Sequence, residues 1–496
     1  MRLRFYFATL VLLCFVSAKG QEYHVETPGT LKDVVGEGAE QLTHIRVTGT
    51  LNSKDIDFLH YLCSLNFPKP ESMKDEDYLK LMKEKEGGDR GKLRHLDFED
   101  ARMVGDILPY RAFAGSFLEE IKLPKTLKKI GASAFSYNVL LKELIIPESV
   151  EEIGKNLLYY CSKVEKVRLP DNLKVLNDLL FACCSQLKEV NIPSKVRELH
   201  DGVFIYCTKV PPSVAILPET VEILDGSVYY AIDTIKEVVV PRNVRVLRMA
   251  FHGMPGLRKA TILTDKLTEI GDFAFSWCSA LEEVNIPDKI TRIGNHAFFW
   301  NLRLRKVKIP STVTRIEAFA FDSDPLDSID IPAGVTFIGR NAFWNNRKLQ
   351  KVYSRPIVPP VTTNGDDDGA EGPYLPFHSS STETAVLYVP KGSADAYRKS
   401  MVFSEFKNIV ELESWEWPSS VESPKSQTDD YGVYGSNGVL RIESNGNGNG
   451  APVAVSVCSI GGASYWSGRV TDSVSIPLPK GLYIVRVGKA AHKISL

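Results

Sequence analysis

An apolar residue followed by proline recurs along the chain at a nearly constant interval. One interval of 46 residues covers two repeats, with Thr264 in place of the proline. A fixed period of this size is typical of a solenoid, in which each repeat forms one coil and buries its apolar face against neighbouring coils. The prolines follow one another at steps of 23, 23, 23, 25, 23, 46, 23 and 22 residues: Pro124, Pro147, Pro170, Pro193, Pro218, Pro241, Pro287, Pro310 and Pro332.

The repeat has one internal pattern from about residue 118 to residue 353, which is Φ-P-x-x-V-x-x-I-G-x-x-A-F-x-x-[CN]-x-x-L-x-x-V-x-Φ with Φ aliphatic. Val284 and Ile286 alternate around Asn285, which predicts a short strand with two aliphatic side chains pointing inward. Pro287 ends that strand because it has no N–H to donate to a ladder. We interpret the glycines after the isoleucines as residues that allow a tight turn; they are Gly271, Gly294 and Gly339.

The Ala-Phe pair of the pattern supplies one aromatic side chain per coil. Regular recurrence at the repeat period favours core packing over a cofactor site, so we expect these rings to stack in a buried column. The predicted core column is Phe135, Phe181, Phe204, Phe275, Phe298, Phe321 and Phe343.

A small polar or thiol residue follows this aromatic residue after three positions. Such side chains fit inside a turn and form hydrogen bonds with backbone groups. One cysteine per coil in a straight column gives no tetrahedral metal site, so no metal site is predicted. Coils ~4.8 Å apart would permit disulfides by distance, but asparagine at the same position favours buried thiols. The predicted structural ladder is Asn138, Cys161, Cys184, Cys207, Cys278, Asn301 and Asn346, with Asp324 at the equivalent position.

Residues 1–20 have the pattern of a secretory signal peptide. Arg2 and Arg4 precede an apolar run from Phe5 to Val16, and small residues follow it up to Gly20. This predicts cleavage near Gly20 and export of the chain. The run is shorter than the ~20 residues that a membrane span needs, and no later segment is apolar enough, so no membrane span is predicted.

Residues 21–100 are predicted to form an N-terminal capping repeat with a charged insertion. Residues 42–49 alternate as a strand, and residues 55–62 are predicted to be a short helix with Asp55 as its N-cap. The insertion from Pro70 to Asp89 is dense in Lys, Glu and Asp. We interpret it as a solvated loop or helix.

Residues 101–412 are predicted to form the repeat solenoid, with a polar loop at 356–384. Asp366, Asp367 and Asp368 in that loop lack the ligand spacing of a calcium site, which favours a solvated loop. Residues 413–430 are rich in Ser and Pro and are interpreted as a linker. Residues 431–496 contain short strand-like runs separated by Gly, Asn and Ser, which predicts a small C-terminal β-sandwich.

Charge and motifs exclude several classes of function. The chain has 60 Lys and Arg against 61 Asp and Glu, whereas a nucleic-acid partner requires a basic excess. The sequence contains no H-E-x-x-H, G-x-S-x-G or phosphate-loop motif. We therefore predict no catalytic residues, no cofactor and no nucleic-acid partner.

The repeat resembles the 23-residue leucine-rich repeat of BspA-like bacterial surface proteins over roughly residues 40 to 412, including the closing stretch 387–412. The resemblance implies a β-rich leucine-rich-repeat solenoid with parallel strands and short helical or 3-10 turns. It also implies a protein that is secreted or attached to the cell surface, and several family members are adhesins that bind host matrix or plasma proteins.

The end of the chain, PKGLYIVRVGKAAHKISL, resembles the C-terminal sorting domain of type IX secretion cargo, which would place the protein in a Gram-negative bacterium. A module that only caps or spaces the repeats is the alternative. The residues that carry the resemblance are Gly481, Tyr483, Val485, Val487, Gly488 and Lys493.

The outward residues between the two inward aliphatics of each strand are the predicted binding face, because a parallel sheet presents them at regular spacing on a rigid support. Host matrix or cell-surface proteins are the expected partners. A glycan is the alternative, with Tyr353, Trp344 and Trp300 as candidate aromatics, and an enzyme site around His492 is the weakest interpretation. The predicted face is Lys122, Ile145, Arg168, Asn191, Val239, Asn285, Lys308, Asp330 and Tyr353.

Overall fold

A computed structural model describes residues 21–65, 69–70, 72–86, 91–362, 375–413, 431–436, 439–444, 453–459, 464–471, 473–479, 482–487 and 490–495. The predicted signal peptide, the linker from residue 414 onward and the three aspartates at 366–368 lie outside these residues. The chain divides into two compact units. Unit 1 contains the residues up to Leu173 together with Leu179–Leu187, and unit 2 contains Lys174–Asp178 and Lys188–Leu496.

Unit 1 consists of parallel strands with helices near its N-terminal end. The strands pair in the order β1-β2-β3-β6 with β4 also on β2, in the order β5-β7-β9, and as the pair β8-β10. The strands are β1 Gln21–Val25, β2 His44–Leu51, β3 His95–Asp97, β4 Ala101–Met103, β5 Ile107–Leu108, β6 Glu120–Lys122, β7 Lys129–Ile130, β8 Glu143–Ile145, β9 Glu152–Ile153 and β10 Lys166–Arg168. The α-helices are α1 Leu31–Val35, α2 Ser53–Cys63 and α3 Asp75–Lys85, and 3-10 turns cover Ala39–Gln41 and Val104–Asp106.

Unit 2 continues the same arrangement. Its parallel sheets have the orders β11-β13-β14-β16, β15-β17-β19, β18-β20-β21-β23 and β22-β24-β25-β26. The strands are β11 Val175–Leu176, β12 Glu189–Val190, β13 Glu198–Leu199, β14 Ile223–Asp225, β15 Glu237–Val240, β16 Val246–Arg248, β17 Lys259–Ile262, β18 Glu269–Ile270, β19 Glu283–Val284, β20 Arg292–Ile293, β21 Arg315–Ile316, β22 Ser328–Ile331, β23 Phe337–Ile338, β24 Lys351–Ser354, β25 Val386–Pro390 and β26 Asn408–Leu412. Helix α4 covers Ala394–Lys399, and a 3-10 turn covers Pro212–Ala215.

The strand register shows that one repeat forms one coil. Ile293 lies opposite Ile270 on one side and Ile316 on the other, so equivalent residues of successive repeats are neighbours. This register confirms the predicted β-rich repeat solenoid of parallel strands.

Most coils contain two strands, whereas the sequence pattern predicts one. The second strand is two or three residues long, as in β18 and β20, and ends at the isoleucine before the glycine. A run this short has too few positions to show alternation of apolar and polar residues.

A tight turn begins at each of the glycines after these isoleucines, as predicted, but the reason that glycine stands there is different. A Cβ atom on Gly271 would lie 2.3 Å from the carbonyl oxygen of Leu247, and one on Gly339 would lie 2.4 Å from the backbone nitrogen of Ala318. Neither glycine has a left-handed φ. Glycine is therefore needed because the backbone of the preceding coil passes close by, and not because of a tight turn.

Two turn positions in most coils adopt the left-handed backbone conformation, with φ between 51° and 63° at the non-glycine residues that occupy them. Side chains other than Gly and Asn rarely take this conformation, which costs them on the order of 1–2 kcal/mol. The first position is held by Ser133, Asn156, Leu179, Met249, Phe273, His296, Phe319 and Asn341. The second position, directly before the ladder residue, is held by Tyr137, Tyr160, Cys183, Tyr206, Ala231, Trp277, Trp300, Ser323 and Asn345.

The aromatic column forms the core of the coils. All seven phenylalanines of the predicted column are fully buried. In unit 2 the rings stack continuously, with centroids 4.8–5.9 Å apart and planes within 19° of parallel. This stack runs through Phe204, Tyr229, Phe251, Phe275, Phe298, Phe321, Phe343 and Phe377. Tyr229, Phe251 and Phe377 are additional members, which the Ala-Phe pattern misses because their repeats depart from it.

The N-terminal helices correct two predictions. Helix α2 begins after Asn52, which is its N-cap, while Asp55 is the buried third residue of a capping box. The Asp55 carboxylate accepts hydrogen bonds from the N–H groups of Asn52, Gly29 and Leu31 at 2.6–2.9 Å, which ties the helix to the preceding turn. The charged insertion is not simply solvated, because Tyr78 and Met82 of α3 are buried.

The described C-terminal residues form two antiparallel sheets with a shared apolar core. The sheets have the orders β27-β28-β31 and β30-β29-β32-β33. Leu440 and Ile442 from the first sheet pack with Val455, Val457 and Val485 from the second, in agreement with a β-sandwich. Gly481 and Gly488 of the sorting-domain resemblance lie outside the described residues. The strands are β27 Tyr431–Ser436, β28 Val439–Ser444, β29 Val453–Ser459, β30 Ser464–Val470, β31 Ser473–Pro477, β32 Leu482–Val487 and β33 Ala490–Ser495.

Replacement of one central ring tests the role of the aromatic column. We expect Phe298→Ala to lower the free energy of unfolding by ~3–5 kcal/mol, because it removes the stacking contacts with the ring on either side and leaves a cavity. Phe298→Leu should cost clearly less, since Leu158 is fully buried at the equivalent position of its own repeat. Urea denaturation followed by circular dichroism measures both free energies of unfolding. A decrease below ~1 kcal/mol for the alanine variant would contradict a stabilising role of the stacked rings.

Candidate interaction surfaces

The predicted binding face follows the outer strand ladder in each unit. In unit 1 Arg168 of β10 lies opposite Ile145 of β8, and Lys122 ends β6. In unit 2 Tyr353 of β24 lies between Asp330 of β22 and Tyr388 of β25. Three members lie outside assigned strands: Asn191 follows β12, Asn285 follows β19, and Lys308 is in an extended segment.

Several residues of this row present apolar or aromatic surface to solvent. Ile145 is 52% exposed and Val239 is 41% exposed. The rings of Tyr353 and Tyr388 stack with centroids 4.8 Å apart and planes 13° from parallel. Val410, which lies opposite Tyr388 on β26, is 42% exposed and extends the row. The sequence pattern misses Tyr388 and Val410 because they follow the polar loop that interrupts the period.

At least four predicted members of the face form bonds within the solenoid. Lys122 and Arg168 each form an exposed pair at 3.3 Å, with Asp97 and Glu148, and Asn285 and Asp330 are bonded more closely. The Asn285 amide accepts from the N–H of Ile262 at 2.7 Å and donates to its carbonyl oxygen at 2.9 Å. The Asp330 carboxylate accepts two hydrogen bonds from Arg355, both at 2.7 Å. Both side chains therefore stabilise the stack of coils and are less available to a partner.

Charged residues of adjacent coils also pair with one another. Lys166 lies 2.9 Å from Glu143, and Lys259 lies 2.7 Å from Glu283. Exposed pairs of this kind contribute ~0.2–1 kcal/mol each. Because these charges are paired with one another, the apolar and aromatic side chains are the features of the row that distinguish it from the rest of the surface.

The ladder residues are buried and bond the backbone of the preceding coil. The Asn138 side-chain amide donates to the Phe113 carbonyl oxygen at 2.8 Å, and the Asn346 amide donates to that of Phe321 at 2.8 Å. The thiol of Cys278 donates to the Phe251 carbonyl oxygen at 3.0 Å in the same way. Asparagine and cysteine therefore both suit this position, because each donates a hydrogen bond to the equivalent carbonyl group of the preceding coil.

The cysteines of the described chain are free thiols. Burial raises the pKa of the Cys161 and Cys278 thiols to about 12. Thiolate is the reactive form, so these side chains are chemically inert at neutral pH. Cys184 and Cys207 are equally buried.

Asp324 is the carboxylic member of the ladder. Its Oδ1 atom accepts a hydrogen bond from the Asn301 N–H at 2.7 Å, whereas its buried Oδ2 atom has no partner. Burial raises the pKa of Asp324 well above its usual value, and the nearby Asp322 carboxylate raises it further. Protonation removes the charge that burial penalises, so the carboxyl group is neutral like the asparagine amide of other coils.

We expect Asp324→Asn to stabilise the protein at neutral pH. The folded state holds a proton that the unfolded chain releases above about pH 4, so the wild-type protein loses stability as pH rises through that range. The variant should exceed the wild type by on the order of 1–3 kcal/mol near pH 7 and by much less near pH 4. Thermal unfolding at both pH values provides the measurement.

Asn346→Asp is the matched control for this prediction. It places a carboxyl group at the equivalent buried position, and should therefore introduce the same loss of stability with rising pH. A melting temperature of Asp324→Asn that follows the wild type at every pH would contradict the assignment of a protonated Asp324.

A second exposed surface lies on the turn side of unit 2 and consists of Trp277, Phe299 and Trp300. The two indole rings stack with centroids 4.4 Å apart, and Trp277 and Trp300 are 45% and 39% exposed. Phe299 meets both indoles edge-on at 5.7 and 5.9 Å. Of the aromatics suggested from the sequence, Trp300 belongs to this cluster, Tyr353 belongs to the strand row, and Trp344 is half-buried beside neither.

The described residues offer no metal centre, since no group of three or more His, Cys, Asp or Glu side chains among them is arranged to hold an ion. Within the same part of the chain, every helix is too short or too polar to cross a membrane. His492, the histidine considered for an enzyme site, lies on β33.

Comparison with known proteins is consistent with this architecture. The family model for the BspA type leucine rich repeat region, in six copies, matches residues 106–234 and 222–350. No curated protein matches the chain.

Solved structures also resemble the chain. A leucine-rich repeat protein from Bacteroides ovatus is 20% identical and has a TM-score of 0.49, with 76% of this chain and 85% of that chain covered. A leucine rich cell surface protein from Faecalibacterium prausnitzii is 21% identical and has a TM-score of 0.29, with 58% and 83% covered.

The parallel ladders, the buried polar position and the stacked core define a leucine-rich repeat protein. Within that class, the chain belongs to the BspA type, whose family model follows its coils from residue 106 to residue 350.

Proposed function

We propose that this chain is an exported interaction protein that binds other proteins through the outward row of its parallel strands. The observation that carries the proposal is the surface of this row, in which aliphatic side chains are exposed and two stacked tyrosine rings are half-buried. Ile145 and Val239 project from the ladders, and Tyr353 and Tyr388 form an adjoining pair of stacked rings. Tyrosines and aliphatic side chains on a rigid support are the usual anchors of protein interfaces.

The proposed partners are matrix or cell-surface proteins of a host or of a neighbouring cell, and the proposed role is adhesion. Two observations support a macromolecular partner. Within each unit the row covers several coils, which suits a macromolecule better than a small molecule. Three of its charged members are paired with residues outside the row, Lys122 with Asp97, Arg168 with Glu148 and Asp330 with Arg355. Binding energy is therefore expected chiefly from desolvated apolar and aromatic groups.

Binding by the mature chain, residues 21–496, tests this proposal. We expect retention on immobilised matrix proteins, and at least a tenfold weaker Kd for the double variant Tyr353→Thr with Tyr388→Thr. Thr261 is the member of this row on β17, so the replacement suits the strand. Surface plasmon resonance against fibronectin, fibrinogen and collagen provides the measurement.

Tyr465→Thr is the matched control, because this exposed tyrosine lies on β30 of the C-terminal module. Its binding should equal that of the wild type. Retention on polysaccharides alone, or equal binding by the double variant, would overturn the proposed role of the row.

We propose further that residues 431–496 direct the protein to the cell surface. Support comes from the resemblance of the chain end to a sorting domain and from the separate apolar core of the two antiparallel sheets. Deletion of residues 431–496 should abolish surface display while the repeats remain folded, as judged by cell fractionation and circular dichroism. Unchanged display would leave the module with a purely structural role.

A further inference from the structure

The Trp277–Phe299–Trp300 cluster has a counterpart in unit 1. There Tyr137 and Tyr160 occupy the left-handed position of two successive coils, and Tyr159 precedes Tyr160. Tyr137 stacks on Tyr160 at 5.8 Å with planes 13° apart, and meets Tyr159 edge-on at 5.6 Å. Trp277 stacks on Trp300 and meets Phe299 edge-on in the same way. The chain therefore builds one three-ring arrangement twice, from equivalent positions of its repeats.

Helix α3 covers the unit 1 cluster. The Tyr78 ring meets the Tyr137 ring edge-on at 5.2 Å, and Met82 is fully buried in the same apolar cluster. Tyr137 is only 8% exposed as a result. Asp75, the first residue of α3, accepts hydrogen bonds from the hydroxyl groups of Tyr137 and Tyr159. Asp75, Tyr78 and Met82 are three and seven residues apart and lie on one face of the helix.

The unit 2 cluster offers the same surface uncovered. The two stacked indoles and the neighbouring Leu302 are exposed, and the Phe299 ring is half-buried against the indoles. Within the described chain neither indole N–H has a hydrogen-bond acceptor. Both can therefore donate to a carboxylate of a partner, as the tyrosine hydroxyl groups donate to Asp75. The residues before and after the pair in its column, Gly253 and Ser323, are small, and the Tyr230 ring lies beside Gly253.

The backbone at the two tryptophans does not require an aromatic side chain. Trp277 and Trp300 have φ of 59° and 61°, a conformation that disfavours large side chains. Gly253 and Asn345 occupy the same column with φ of 65° and 59°, and both residue types adopt it readily. Tyr137 and Tyr206 adopt the same conformation in this column, so the conformation belongs to the repeat. What distinguishes the cluster is its stacked and exposed indole rings.

We propose that Trp277, Phe299 and Trp300 form a docking site for an amphipathic helix of a partner protein. The helix presents an acidic residue, an aromatic residue three positions later and a methionine or aliphatic residue seven positions later. This proposal extends protein binding to a second surface and rests on a separate observation from the strand row.

A peptide with the sequence of residues 72–86, which contains Asp75, Tyr78 and Met82, is the probe. We expect the fluorescein-labelled peptide to bind the mature chain in fluorescence anisotropy. Binding should be at least tenfold weaker for Trp277→Gly with Trp300→Asn, which uses the residues already found at Gly253 and Asn345. Tyr206→Asn is the matched control: this residue is exposed in the same column but lies outside the cluster, so it should leave binding unchanged.

A second measurement does not depend on the folding of a variant protein. The peptide with Tyr78→Ala and Met82→Ala should bind the wild-type chain at least tenfold more weakly than the parent peptide. Equal binding by the double tryptophan variant would mean that the peptide occupies the unit 1 cluster, and would overturn the proposal. The proposal would also be overturned if the peptide failed to bind while the wild-type chain retained polysaccharides or dimerised and the double tryptophan variant did not. The Tyr353 and Tyr388 variants report on the strand row independently.

Discussion

Stacking between coils is the interaction on which the structure depends. Each repeat is too short to enclose a core, so its aliphatic and aromatic side chains become buried only when another coil lies above or below. In unit 2 the rings from Phe204 to Phe377 form one continuous stack, and the ladder residues bond the carbonyl groups of the preceding coil. Both interactions join a coil to its neighbours, which explains why the repeat length is held so constant.

The outer surface is shaped by the same stacking. Because equivalent residues of successive coils are neighbours, any side chain that recurs becomes a row. Charged residues in such rows meet partners of opposite sign, as Lys166 meets Glu143, and these contacts stabilise the array. Aromatic residues form platforms instead, as Tyr353 and Tyr388 do on the strand side and Trp277 and Trp300 do on the turn side. The binding surfaces proposed above are built on these aromatic pairs.

The chain itself illustrates how such a platform is occupied. Helix α3 places Tyr78 and Met82 on the tyrosines of unit 1 and orients them with the Asp75 carboxylate. The charged composition of this insertion hides its role, since its outer face is polar while two side chains are buried. An amphipathic helix of two to three turns is thus a sufficient partner for one three-ring cluster.

The sequence alone determined the repeat length, the parallel solenoid and the buried phenylalanines, because a period of 23 residues places equivalent residues of successive coils next to one another. It missed Tyr229, which replaces the phenylalanine, and Phe251, which follows its proline by 10 residues where Phe298 follows Pro287 by 11. It also missed the second strand, which is too short to show alternation. Only the tertiary structure decided which outward residues are free. Asn285 and Asp330 are satisfied by Ile262 and Arg355 one coil away. Exposure of the tryptophans and burial of Tyr137 likewise depend on whether a helix distant in sequence packs there, which no local pattern encodes.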